Sequence, residues 1–359
     1  MRSASWNRVE PREDLMSGQP AIAAALSTVL GLLTAPTAAE AQVKLRVADS
    51  FPSGHYLTKV IIHPWMAEVT KRTNGAVTFE YFPSQQLGKA TDMLALTQTG
   101  VTNIGYVAPA YASEKMPVSE AAMLPGSFQT SCQGTMAYWK VAREGVIATQ
   151  DYAPNKIRLL LAIALPPYQI LTAKNPVRTE EDVKGLKLRS TGGAQDLTLR
   201  TIGAVPVRMA APDTYESLSR GTLDGALFPL DSVAAYNLEK ILRYSTEGAN
   251  FSSFIVAYSI SDASWNSLSP EVKKVMTEVG DEIVRSACAS VDKQEGETKQ
   301  KLIDAGVQFL PISAEFRGKL DDMLKDVGKK WAEGLDSRGK KGSAALAEFQ
   351  KAVAEQGGK

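Results

Sequence analysis

Apolar positions along this chain change period several times, and each change marks out an element. Val77 to Phe82 (VTFEYF) alternates strictly and reads as a strand stopped by Pro83. Val43 to Ala48 reads as an earlier strand. Between them Leu57, Val60, Ile61, Trp65 and Val69 recur at helical spacing, and the helix ends near Asn74-Gly75. A further helix is expected from about Gly88 to Thr99, then a short strand from Asn103 to Val107. Strand, helix, strand, helix in this order predicts a mostly parallel sheet with helices on both faces.

A second series opens at Ile157. Arg158 to Leu165 is a continuous apolar run of the buried-strand kind, and Gln169 to Ala173 is a shorter one. Thr179-Glu-Glu-Asp182 has the form of a cap on a single helical turn. A strand from Leu186 to Arg189, a loop at Thr191-Gly192-Gly193 and a helix from Ala194 to Ile202 follow. Ala204 to Met209 is a strand, Asp213-Thr-Tyr-Glu216 a capping pattern that opens another helix, and Leu223 to Leu230 closes the series.

The last third differs. Ser269-Pro270-Glu271 sets a helix start with Pro in its first turn, and nothing breaks the helix before Gly306. Such a helix, about 35 residues at 1.5 Å each, spans about 50 Å and so bridges two domains. Val307 to Leu310 returns as a strand, and Ser313 caps a further helix to about Leu335.

The length of 359 residues suits two domains of ordinary size, and 44% hydrophobic with 22% charged residues is a soluble globular profile. A net charge of +1, spread along the chain, gives no footprint for nucleic acid or an acidic membrane. Ala21 to Leu33 is apolar but too short to span a bilayer, and Ala39-Glu40-Ala41 has the form of a cleavage site. Residues 1–41 are therefore expected to be a signal peptide removed after Ala41, with Met1 or Met16 as the start. Cys132 and Cys288 lack metal-like spacing; in an oxidising compartment they pair or stay as two buried thiols, and the spacing leaves both open.

Catalytic signatures are scarce. The chain has no G-x-S-x-G elbow, phosphate-binding loop, H-E-x-x-H pair or dinucleotide fingerprint. His55 and His63 are its two histidines, and their spacing of eight keeps them off one helix face. Arg189 stands out instead. It falls at the carboxyl end of a strand, beside a glycine loop and a helix N-terminus, where backbone N–H groups and the helix dipole favour an anion. A guanidinium adds a planar fork that matches a carboxylate. Phe51, His55, Tyr106, Tyr168 and Asp231 fall near predicted strand ends, where open α/β sheets bind ligands.

Several stretches together resemble the solute receptors of TRAP transporters, in the group typified by C4-dicarboxylate-binding proteins. They include VKLRVADSFPSGHYLTK from Val43, the QLG element at Gln86, KGLKLR from Lys184 to Arg189, and D-G-x-x-x-P from Asp224 to Pro229. The resemblance implies a two-lobed periplasmic binding protein fold of the α/β class, with a long helix bridging both lobes. Lobe I would comprise residues 42–166 and 254–293, and lobe II residues 167–253 and 294–359. It implies a periplasmic receptor, without cofactor or catalysis, that grips an organic acid and hands it to membrane permease subunits. A membrane sensor as the docking partner, or an exported enzyme, are the alternatives. By this match Arg189 grips the carboxylate. Sialic-acid receptors of the family carry an arginine at the position of Gln169 and an asparagine at that of Phe228. The α-keto-acid branch has acidic and Trp residues that hold a metal where this chain has Ala226-Leu227-Phe228, so no metal is expected. Both departures point to a monocarboxylate with an apolar or aromatic body.

Overall fold

The computed structural model of the chain describes residues 42–357. The expected leader and its cleavage after Ala41 lie outside the described residues. Among the described residues there are eleven strands: β1 (Val43–Ala48), β2 (Val77–Phe82), β3 (Ile104–Tyr106), β4 (Ile157–Ala164), β5 (Gln169–Thr172), β6 (Lys187–Ser190), β7 (Val205–Arg208), β8 (Gly225–Phe228), β9 (Tyr244–Glu247), β10 (Ile255–Ser261) and β11 (Gln308–Pro311). They form two sheets, in the orders β2-β1-β3-β10-β4 and β11-β9-β5-β8-β6-β7.

Each sheet contains one strand that runs against its neighbours, so neither is as parallel as the sequence pattern predicts. β10 pairs antiparallel with both β3 and β4, and β5 with both β8 and β9. The reason is topological. The chain passes from β4 in the first sheet to β5 in the second, and returns from β9 to β10. The two crossings lie side by side: Leu165 and Tyr168 donate their N–H groups to the carbonyls of Phe254 and Ser252, at 2.8 Å each. β4 therefore belongs to the first sheet, although the second apolar series opens with it. β9 and β10 carry no periodicity that separates them from a buried helix segment.

The helix Pro270–Asp304 is 35 residues long and is capped by Ser269, whose Oγ accepts from the N–H of Val272. Val272, Met276, Val279, Val284, Ala287 and Val291 enter the core beneath the first sheet, while Leu302 enters the core of the second. This one helix braces both halves. Cys132, in the helix Ser131–Glu144, is disulfide-bonded to Cys288 in the long helix. Closing a loop with a sequence separation of 156 stabilises the fold by about 5 kcal/mol in the chain-entropy picture.

The helix expected from Ser313 is two, Ala314–Lys325 and Val327–Asp336. A last helix, Gly342–Gln356, packs on Ser131–Glu144, with a Lys140–Glu355 ion pair of 2.6 Å at its edge. Thr179 makes the capping box read from the sequence, but Asp213 makes no side-chain cap to the helix Thr214–Ser219.

Candidate ligand-binding cleft

Phe51, just beyond the carboxyl end of β1, and Arg189, at the carboxyl end of β6, line one cavity. At the end of β6, Arg189 is 1% exposed. β6 lies between β7 and β8, and its register sets Arg189 opposite Ala226. The guanidinium donates to the carbonyls of Met209 at 3.2 Å and Leu227 at 3.4 Å, and to the hydroxyl of Tyr111 at 3.4 Å. The ring of Phe228 lies 5.0 Å from its central carbon. Every one of these acceptors is neutral. No carboxylate among the described residues pairs with Arg189.

Arg189 lines a tight cavity of about 20 Å³, and most of its other walls are rings. Phe51, Tyr106, Tyr168 and Phe228, all singled out in the sequence, line the same cavity, joined by Tyr111, Tyr236 and Phe254. Phe51 and Tyr106 stack at 4.5 Å between centroids. Tyr111 lies in the 3₁₀ turn Pro109–Ala112 after β3, Tyr236 ends another such turn, and Phe254 lies on the crossing from β9 to β10. None sits on a periodic element, which is why sequence patterning passed over them.

The remaining candidates are placed otherwise. His55 is buried behind the wall, 4.6 Å from Phe51 and 5.6 Å from Tyr236 between ring centroids. Its Nδ1 accepts from the N–H of Leu57 at 3.2 Å. Burial holds its pKa down to about 3, so the imidazole is neutral. Gln169 turns away from the cavity: its Nε2 donates to the carbonyl of Ala249 at 2.6 Å, and its Oε1 accepts from Thr246 at 2.9 Å. It and Asp231 line a separate groove beside the long helix. Asp231 accepts from the hydroxyl of Tyr56, a link between the two halves, and from Ser232 at 3.1 Å. Burial pushes its carboxyl up to about 6, with the Tyr56 and Ser232 bonds opposing the rise.

The helix N-terminus beside Arg189 corrects the sequence reading. The anion there is the chain's own. Glu120, buried on the 3₁₀ segment Pro117–Met123, accepts from the N–H of Ala194 at 2.8 Å in the first turn of the helix Gly193–Thr201. Gly193 has φ +50°, and a Cβ on it would collide with the Glu120 carboxylate. Burial raises the pKa of Glu120 against the pull of its hydrogen bonds and of Arg208.

Two α/β halves joined by adjacent crossings and a bracing helix, with a buried cation that no carboxylate among the described residues pairs, have the build of a receptor for an anionic solute. The chain belongs to the bacterial extracellular solute-binding protein family 7, whose model matches residues 47–334. It is a receptor of the TRAP-transporter class, extracytoplasmic like its family. Among solved structures it is similar to a TRAP periplasmic solute-binding protein from Bordetella bronchiseptica with bound mandelate. The identity is 25%, the TM-score 0.79, and the match covers 88% of this chain and 99% of that one. A TRAP solute-binding protein from Rhodoferax ferrireducens, in complex with benzoate, shares the fold at a TM-score of 0.81 and 22% identity, over 88% and 98% of the chains. The C4-dicarboxylate-binding periplasmic protein DctP of Rhodobacter capsulatus is 23% identical over 299 residues, 79% of this chain and 84% of the relative. No helix among the described residues is long and apolar enough to cross a membrane.

Proposed function

We propose that this receptor works in the periplasm after its leader is removed behind Ala41, and that it captures a monocarboxylate with an aromatic body without transforming it. It then delivers the acid to the membrane subunits of a TRAP permease. The observation that carries this reading is Arg189: a buried cation answered only by neutral acceptors, in a cavity walled by aromatic rings. An isolated buried charge is expensive until a counter-charge reaches it. A carboxylate supplies that charge, and the rings of Phe51, Tyr106 and Phe228 supply apolar surface for the rest of the ligand. The acids bound by the Bordetella and Rhodoferax receptors, mandelate and benzoate, have this build.

A thermal-shift screen with benzoate, phenylacetate, mandelate, malonate and galacturonate tests the reading. A ligand at 100 times its Kd stabilises by about 2.7 kcal/mol, and the aromatic acids are expected to give the shift. Stabilisation by malonate or galacturonate with none from the aromatic acids would overturn it.

A further inference from the structure

Two donors from one side of the cavity converge on a single oxygen from the other. Tyr111 follows β3 of the first sheet, whereas Arg189 and Ala211 belong to β6 and to the turn after β7 in the second. The Tyr111 hydroxyl accepts from the N–H of Ala211 at 3.0 Å and from Nη2 of Arg189 at 3.4 Å. It is the one side chain hydrogen-bonded to the guanidinium among the described residues, the other two acceptors being backbone carbonyls. The ring is half-buried and lies 5.3 Å from that of Phe254, on the crossing from β9 to β10.

A phenol has one hydrogen to donate and two lone pairs. Ala211 holds one lone pair and Arg189 faces the other, while the hydrogen meets no acceptor among the described residues. What the hydroxyl still offers is therefore a donor, beside a cation that no carboxylate of the chain pairs. The gap of 3.4 Å between Nη2 and the hydroxyl is long for a hydrogen bond. One carboxylate oxygen spans it with ordinary charge-assisted bonds, about 2.8 Å to the nitrogen and about 2.6 Å to the hydroxyl.

We propose that Tyr111 donates its hydroxyl hydrogen to the carboxylate oxygen that Arg189 grips. The anion is then bound by a charge from one half and a hydroxyl from the other. This rests on the role of Arg189 proposed above and adds the residue through which the opposite half meets the same group.

The test is calorimetric titration with whichever of benzoate, phenylacetate, mandelate, malonate and galacturonate binds the wild type tightest. Tyr111→Phe keeps the ring and deletes the donor, and should weaken binding about tenfold or more. Ala211→Pro deletes the N–H that ties Tyr111 to the second half and leaves the hydroxyl in place. Proline suits the first position of that 3₁₀ turn, since Ala210 before it is extended at φ −72° and ψ 158°. Its loss should be about threefold or less. Tyr111→Phe binding within about twofold of wild type overturns the proposal. Equal losses in the two variants also overturn it, because the hydroxyl would then only tie the halves together. Tyr111→Phe decides alone if the proline variant does not fold. If malonate or galacturonate is the tightest acid, the aromatic reading fails while this test proceeds unchanged. Failure of all five acids to bind overturns the role of Arg189 and this proposal with it.

Discussion

Asp49 and Arg189 occupy corresponding places in the two halves, each at the carboxyl end of a strand bordering the cleft, and each buried. Their surroundings differ. Asp49 is surrounded by donors from its own half: the hydroxyls of Tyr81 at 2.6 Å and Tyr258 at 2.8 Å, and the N–H of Phe51 at 3.1 Å. Arg189 has partial neutral contacts and an aromatic ring. One charge is satisfied by the fold and holds Phe51, a wall of the cavity, in place. The other is left for something the fold does not contain. Glu120 sharpens the lesson, since even the anion site beside Arg189 is filled from within. Buried charge alone does not mark a binding residue; buried charge without an internal partner does.

Opposite substitutions should therefore have opposite effects on the unliganded protein. Asp49→Ala strands two tyrosine hydroxyls and a backbone N–H, and should destabilise by about 4 kcal/mol. Arg189→Met removes an uncompensated charge and should leave the apo protein at least as stable as wild type. Urea denaturation of both variants measures this, and a large loss for Arg189→Met would mean that the fold depends on the guanidinium.

The second prediction concerns pH. Burial pushes the Asp49 carboxyl up to about 6, against the Tyr81, Tyr258 and Phe51 hydrogen bonds that favour its charge. Its folded pKa lies above the unfolded value, so the fold binds the proton more tightly. The resulting stability is complete below about pH 4 and is lost as pH rises through 6, about 3 kcal/mol in all. Asp49→Asn should lessen the fall of stability between pH 4 and 6.5, the remaining slope belonging to other raised carboxyls such as Asp231; an unchanged slope would contradict the shift.

The smallest effect is expected at Gln169. It ties β5 to β9 through Thr246 and to the return crossing through Ala249, so Gln169→Arg should cost about 1–2 kcal/mol of stability through those two bonds. It should not create affinity for dicarboxylates, because the side chain faces the groove beside the long helix. A gain of malonate binding on calorimetry would place it in the cleft after all.

Much of this was legible in the sequence. Strict alternation fixed β2 to the residue, and Ser269-Pro270 and Gly306 bounded the long helix within two. Arg189, Phe51, Tyr106 and Tyr168 could be picked out because strand ends in an open α/β sheet face the cleft, and Phe228 through the family resemblance. β10 could not, because all seven of its residues are buried and the run has no period of two. Tyr111, Tyr236 and Phe254 come from turns and a crossing, where position depends on the tertiary fold. Glu120 lies far in sequence from the helix it caps, and only the structure brings the two together.

The central claim is that Arg189 is completed by the ligand's carboxylate. It is tested most directly by calorimetric titration of the wild type, Arg189→Ala and Arg189→Lys with the best acid from the screen, after circular dichroism confirms folding. Leaving a desolvated carboxylate unpaired should cost about 3–5 kcal/mol, or two to three orders of magnitude in affinity, for Arg189→Ala. Arg189→Lys should also bind poorly, since an ammonium keeps the charge and loses the fork. A folded Arg189→Ala that binds within about threefold of wild type, well under 1 kcal/mol, would contradict the account.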